Sequence, residues 1–359
     1  MMMMMMMMGN TLLLLFLACF FINPASAPPT MDAPLHSINY HHRHPDGQFL
    51  GLLMAYPTEE RVLQSSGVFV PDPLTPLFHL AGRRFNIGKI GNVPVVYVMS
   101  GEQMFCEAMM VTPCIGQVNA AITVQILVDT FDILGVVHYG TAGSINSSLS
   151  LGDVSVPASV ALTSSWKWLQ DFKSEAAQSP ELKFGDYNLP RQGPNLLAAV
   201  EFTPTQVYSN GLPMKETFWL PVDPKWFDLA TQLQNVQLEQ CLNKTDCLPE
   251  TPKVVYGLLG ATADVFLDNV AYGQYLFQTF NISTVDEESA AVIMVCSSNE
   301  IPGIVFRGIS DMAGGEHKLL SGSLSSLAAS NALSAALKFI GMFDDEGQQT
   351  EPQQQWPLI

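Results

Sequence analysis

The chain of 359 residues is 48% hydrophobic, enough to bury a full core in one large domain or two small ones. Sixteen Lys and Arg stand against 33 Asp and Glu, a formal net charge of −17 without a basic cluster, so nucleic acid is excluded as a partner class. Apolar runs alternate with helical patterns along most of the length, which excludes a disordered chain.

Residues 1–27, MMMMMMMMGNTLLLLFLACFFINPASA, carry no charged side chain and hold an apolar run, Leu12 to Ile22, ahead of the small-residue end Ala25, Ser26, Ala27. The pattern predicts a secretory signal peptide, because the run is too short to span hydrocarbon. No Lys or Arg precedes the run, and Pro28 follows the expected cleavage point. No second run of about 20 apolar residues follows, so the mature chain is expected to have no membrane partner and an extracellular or vacuolar destination. Residues 28–48 are rich in Pro and His and predict a flexible, solvated arm. His36, His41, His42 and His44 lack the Cys or carboxylate framework that would fix a metal, so no metal site is expected.

From Phe49 the texture changes. FLGLLMAYPTEERVLQ reads as a buried strand, a turn at Pro57 and a helix start; VPVVYVMSG and AMMVTPCIG read as strands. QVNAAITVQILVDTF has helical spacing, and DILGVVHYGTAGS is a strand running into glycine. This alternation predicts a three-layer α/β/α fold with a mixed, largely parallel central sheet over residues 49–343. Residues 165–250, with Trp166, Trp168, Trp219 and Trp226, read as an elaborated crossover, since neither end shows a flexible linker. In the polar loop CLNKTDC, Cys241 and Cys247 are expected to pair, whereas Cys106, Cys114 and Cys296 in apolar surroundings read as buried thiols. The sequons at Asn146, Asn243 and Asn281 are expected glycosylation acceptors where exposed, Asn243 foremost. The pattern returns at PKVVYGLLGATADVF, then helix ESAAVIMVCSSN, strand PGIVFRGIS, a helix from about Leu324 to Phe343 and a disordered tail over 344–359.

Four small segments stand at strand ends: YPTEE (56–60), YGTAGS (139–144), TVDEESAA (284–291) and GISDMAGG (308–315). Each places a carboxylate or a backbone donor at the carboxyl edge of the expected sheet, where ligands of such folds bind. Each also has an ordinary explanation, as a helix cap or a glycine turn.

Together these segments resemble the nucleoside phosphorylase and uridine phosphorylase superfamily, most closely its methylthioadenosine and S-adenosylhomocysteine nucleosidases. The resemblance runs from about Phe49 to Phe343 and keeps segment order, with GTAGSINSSLSLGDVSVP its most specific stretch. The secretory start and FWLPVDP (218–224) resemble a plant subgroup, the bark and vegetative storage proteins. The resemblance implies that Asp311 donates a proton to N7 of a purine, with Ser310 beside it in the substrate site. An acid there fits the chemistry: breaking the N-glycosidic bond leaves negative charge on the base, and burial raises a carboxyl pKa so that a proton is available. By the same resemblance Glu288 binds the ribose hydroxyls, Thr141, Ala142 and Gly143 line the sugar and nucleophile site with backbone N–H groups, and Phe266 and Leu267 pack the base. Glu59 matches the carboxylate that helps to activate water. No cofactor is implied, the partner is a purine nucleoside, and a homo-oligomer is expected.

A phosphate nucleophile needs Arg donors, and the chain has six Arg, with Arg61, Arg83 and Arg84 near the first strands. An acid at the nucleophile position repels phosphate, which favours hydrolysis over phosphorolysis. One departure stands out: Glu287 replaces the Met usual before the ribose-binding Glu, and two adjacent carboxylates either raise one pKa or turn Glu287 outward. Two functions follow. One is a purine nucleosidase or phosphorylase using Asp311, Glu288 and Glu59; the other is a secreted or vacuolar storage protein on the same scaffold with weak or no catalysis.

Overall fold

Strand β1 (Phe49–Met54) is apolar at nearly every position and buried on both faces: Leu50, Leu52 and Met54 enter one core, Phe49 and Leu53 the other. A strand whose alternate residues all find apolar partners must lie between two helical layers. The structure is a computed structural model that describes residues 47–100, 116–169, 199–209, 211–233, 236–313 and 322–348. All of these belong to a single unit, residues 40–359.

After β1 come helix α1 (Pro57–Ser66), strands β2 (Phe69–Pro71), β3 (Leu77–Leu80), β4 (Arg83–Ile90) and β5 (Val93–Met99), helix α2 (Gln117–Thr130) and the long strand β6 (Ile133–Ser144). The middle of the chain gives β7 (Val154–Val156), β8 (Ser159–Leu162), β9 (Trp166–Leu169), β10 (Ala199–Phe202), β11 (Thr205–Val207), β12 (Lys215–Thr217), β13 (Leu220–Pro221) and helix α3 (Pro224–Thr231). The last third gives β14 (Val254–Tyr256), β15 (Leu259–Thr262), α4 (Val270–Phe280), β16 (Ile282–Asp286), α5 (Ser289–Ser298), β17 (Gly303–Met312) and α6 (Gly322–Gln348).

Thirteen of these strands share one sheet along the path β13, β8, β15, β16, β6, β1, β5, β4, β2, with β17 joined to β6 and β7. Its centre is parallel, β5 to β1 to β6 to β17, while antiparallel pairs occur at the flanks and where β16 meets the end of β6. One face is covered by α1, α3 and α6 through Leu63, Trp226, Ala332 and Phe339, the other by α2 and α5 through Val124, Leu127, Val292 and Val295. The result is the three-layer fold with a mixed sheet and a parallel centre. The crossover region folds as two small hairpin sheets, β9 with β10 and β11 with β12, and Phe202 and Phe218 there pack on Tyr275 and Phe280 of α4.

Two boundaries differ from the sequence reading. Helix α6 runs to Gln348, past Phe343, and its stretch Ser326–Asp344 is long and apolar enough to cross a membrane by composition. That apolarity is spent on the core: Leu327, Ala332, Phe339 and Ile340 are buried, and small alanines let the helix lie close to β17. The segment 1–27, the histidines of the arm, AMMVTPCIG with Cys106 and Cys114, and the tail beyond Gln348 lie outside the described residues.

Candidate active site

The turn after β1 delivers the first carboxylate. Pro57 opens α1, where a missing N–H costs nothing, and Glu59 two residues later reaches back to cap the helix start. Its Oε2 accepts from the backbone N–H of Ala55 (2.9 Å) and Tyr56 (3.0 Å). Its Oε1 accepts from Thr141 N–H (2.8 Å) and from Thr141 Oγ1 (3.2 Å), which ties the helix start to the end of β6. Glu59 is 2% exposed, so these four donors compensate a charge removed from water. The Thr141 N–H thereby faces the Glu59 carboxylate.

Opposite Glu59 stands a residue that the motifs did not single out. Arg307, in the apolar strand β17, is fully buried, with Nε 2.9 Å from Ser289 Oγ and 3.3 Å from Asp286 Oδ2. Its Nη1 donates to the Thr141 carbonyl (3.2 Å), and its Nη2 meets His138 Nε2 (2.6 Å) and Glu288 Oε2 (3.3 Å). Burial opposes the guanidinium charge, but Asp286, Glu288 and Glu59 outweigh it and hold its pKa above the ordinary value. Gly140 makes the meeting possible: a Cβ there would stand 2.5 Å from Nη1 and 2.6 Å from Glu59 Oε1.

Strand β16 runs antiparallel to the end of β6, with Thr284 opposite Ser144 and Val285 opposite Gly143, so its continuation passes back toward Thr141 and Arg307. Asp286 takes over the cap of α5, accepting from the N–H groups of Glu288 (3.0 Å) and Ser289 (2.9 Å) and from Thr262 Oγ1 (2.7 Å). That leaves the Glu288 side chain to turn inward, where Oε1 accepts from Gly116 N–H (3.1 Å) and Oε2 faces Arg307. Burial dominates its pKa and lifts it to about 8, with Asp286 and Glu59 adding to the rise against Arg307. Glu287 is half-buried; burial and then Asp264 and Asp286 raise its pKa, the first of the two outcomes expected for adjacent carboxylates.

Asp311 sits further along β17, opposite Gly143, beyond a register shift between Ile309 and Asp311. The extra residue is Ser310, and such a bulge re-aims the side chain that follows it. Asp311 Oδ1 accepts from Ser310 Oγ (2.8 Å), while Oδ2 is 2.9 Å from where a Cβ on Gly143 would stand, so only glycine leaves room there. Burial raises the Asp311 pKa, with Asp268 adding to the rise against the Ser310 bond. Leu267, next to Asp268, is buried with Tyr275, Ile145 and Ala313, whereas Phe266 is 65% exposed. The structure thus brings Glu59, Thr141, Glu288 and Arg307 into one cluster and puts Asp311, Ser310, Ala142 and Gly143 at the adjoining end of β6 and β17, with the Phe266 ring turned outward.

Residues 50–340 match the sequence pattern of the phosphorylase superfamily. The chain belongs to that superfamily. Bark storage protein A of Populus deltoides is 39% identical over 293 residues, which are 81% of this chain and 88% of that protein. The 5′-methylthioadenosine/S-adenosylhomocysteine nucleosidase of Colwellia psychrerythraea (strain 34H) is 28% identical over 265 residues, 73% of this chain and 84% of its own. A crystal structure of the nucleosidase from Colwellia psychrerythraea 34H in complex with adenine superposes with a TM-score of 0.55 at 22% identity, covering 84% of this chain and 96% of that one; at this identity the likeness shows the fold.

On this phosphorylase-superfamily scaffold the remaining expected sites are peripheral. Cys241 and Cys247 are joined as a disulfide in an exposed loop, and Cys296 is a buried thiol whose pKa burial pushes up to about 12. Asn243 lies exposed in the disulfide loop and Asn281 exposed at the end of α4, while Asn146 is half-buried with its amide on Ser283 Oγ (3.1 Å). Among the described residues no three His, Cys, Asp or Glu side chains converge as a metal site.

Proposed function

We propose that the protein hydrolyses the N-glycosidic bond of a purine nucleoside. The observation that carries this reading is the state of its one buried cation at the site: Arg307 is already matched to Asp286 and Glu288, with Glu59 alongside. A phosphate dianion brought there would find three acidic side chains and, among the described residues, a guanidinium already engaged, whereas water can bond to both signs. In this reading the attacking water bonds Glu59 Oε1 and Arg307 Nη1, displacing the longest of the four Glu59 bonds, that from Thr141 Oγ1.

In this mechanism Glu288 hydrogen-bonds the ribose hydroxyls, and the Glu59 carboxylate favours an oxocarbenium-like sugar. The C1′–N9 bond breaks with its electron pair passing to the base, and Asp311, whose pKa burial raises, delivers a proton to N7. Water adds to C1′ and releases a proton toward the Glu59 carboxylate. Leu267 supports one side of the base; the exposed ring of Phe266 is free to cover the other when a ligand is present. Exposed Val118 and Ile122 on α2, linked to Val265 and Phe266 through the bond from Gln117 N–H to Asp264 (2.8 Å), support a homo-oligomer. A secretory destination rests on residues 1–27 and agrees with a disulfide.

A storage role is the second reading, favoured by the 39% identity to a bark storage protein and by Glu287 beside Glu288. One experiment separates them: base release from adenosine, inosine and methylthioadenosine, with and without phosphate, by the wild type and Asp311→Asn. Phosphate-independent release that drops about 100- to 10,000-fold in the variant, at an unchanged unfolding midpoint, supports hydrolysis. No release from any nucleoside by folded wild type leaves the storage reading.

A further inference from the structure

His138 lies in β6 directly across the ladder from Leu53 of β1 and is fully buried. Its Nδ1 is 3.1 Å from the Leu53 carbonyl and its Nε2 is 2.6 Å from Arg307 Nη2, the shortest contact of that guanidinium. A carbonyl only accepts and a guanidinium only donates, so one state satisfies both: a neutral imidazole protonated on Nδ1. We propose that His138 is a positioning residue that holds Arg307 turned toward Gly140 and Glu59.

The alternative for the guanidinium is collapse onto its counter-ions. Nη2 gives one hydrogen to His138 and leans its other toward Glu288 Oε2 at 3.3 Å, longer than a well-made charged bond. Without an acceptor at position 138, both hydrogens can turn to Glu288, and the planar group swings as a whole, taking Nη1 off the Thr141 carbonyl and away from Gly140. A carboxylate at 138 would hold the same hydrogen but would add another buried acid to Glu59, Asp286 and Glu288. An imidazole supplies the acceptor without the charge. Burial and the facing Arg307 press its pKa down to about 3 against the pull of Asp286, so it stays an acceptor across the working range.

The kinetic consequence rests on the hydrolytic reading, whereas the positioning itself is a property of the folded chain. Two variants test both: His138→Leu removes both nitrogens, and His138→Gln carries an amide oxygen to the place of Nε2. In 15N-labelled protein the Arg307 Nε–H resonance is expected to shift and exchange faster in the Leu variant and to survive in the Gln variant. The kcat for base release should fall about 10- to 100-fold in the Leu variant, with KM within about threefold, and recover to within about fivefold of wild type in the Gln variant. An unchanged Arg307 resonance in His138→Leu overturns the proposal, as does an equal loss of kcat in both variants that tracks their loss of stability. Should neither variant fold, the wild type decides: Nε2 should remain unprotonated from about pH 5 to 8, and an imidazole titrating near its ordinary value of about 6.5 overturns the proposal. If the wild type releases no base at all, the hydrolytic reading fails while the Arg307 resonance still decides the positioning.

Discussion

Two buried polar clusters stand four residues apart along β17, and they answer the cost of burial in opposite ways. Around Arg307, hydrogen bonds and ion pairs come from five other residues, Asp286, Glu288, Ser289, His138 and Thr141. Around Asp311, among the described residues, Ser310 is the side chain that supports the carboxyl, and burial shifts the acid toward its protonated form. A charge withdrawn from water must be paired or given up. The first cluster pairs it within the protein and is finished on folding. The second is shifted toward holding a proton.

The contrast predicts which changes damage stability and which damage chemistry. Arg307→Met should have the largest effect, a loss of about 3–5 kcal/mol in denaturant unfolding, because Asp286 and Glu288 are left buried without their cation. A loss under about 1 kcal/mol would mean that the cluster is not held by its ion pairs.

Glu288 supplies a pH test of the same cluster. Its folded pKa of about 8 lies above the ordinary carboxylate value of 4.5. Between those two values the folded chain keeps a proton that the unfolded chain has released, so stability falls as pH rises through this window and levels off above it. The expected loss is on the order of a few kcal/mol, and Glu288→Gln should flatten that part of the profile. Asp286 works the other way: burial would raise its pKa, but Arg307 and the hydrogen bonds from Ser289 and Thr262 together depress it, so its contribution is present at neutral pH and lost only in acid. A profile that rises between pH 5 and 8 in the wild type would contradict the placement of Glu288.

The smallest of these effects on stability belongs to the second cluster. Gly143→Ala sets a Cβ 2.9 Å from Asp311 Oδ2, and the carboxyl can turn aside at a cost of about 1–2 kcal/mol. Its mark should be chemical instead: the acid limb of the pH profile for base release, which reports Asp311, should move while the unfolding midpoint changes little.

Much of the site was legible in the chain because the residues concerned lie in short motifs at strand ends. Glu59 in YPTEE, Glu288 in VDEES and Asp311 in GISDM each follow an apolar run, and such runs end where the sheet ends. Arg307 and His138 were passed over because they sit inside apolar runs, VFRGI and VVHYG, where a lone polar residue reads equally well as an edge position. Glu287 was legible as a departure, and its raised pKa follows from burial first and from Asp264 and Asp286 after it. The outward ring of Phe266 was not legible, since neighbouring residues in an irregular loop face different ways without a repeating period.

By itself the sequence determined the layers: alternate apolar residues on β1 and β5, helical spacing in α2 and α5, and glycines where strands give way to loops are local patterns that hold wherever the chain goes. It also determined that an acid stands at the end of the last strand. Only the tertiary structure decided what each acid does. Asp286 became a helix cap, Glu288 turned inward to Arg307, and Glu59 spent all its acceptors on Ala55, Tyr56 and Thr141. Those outcomes depend on register between strands distant in sequence and on the competition of several carboxylates for one guanidinium, and charge pairing through a buried sheet is set by three-dimensional distance, not by order along the chain.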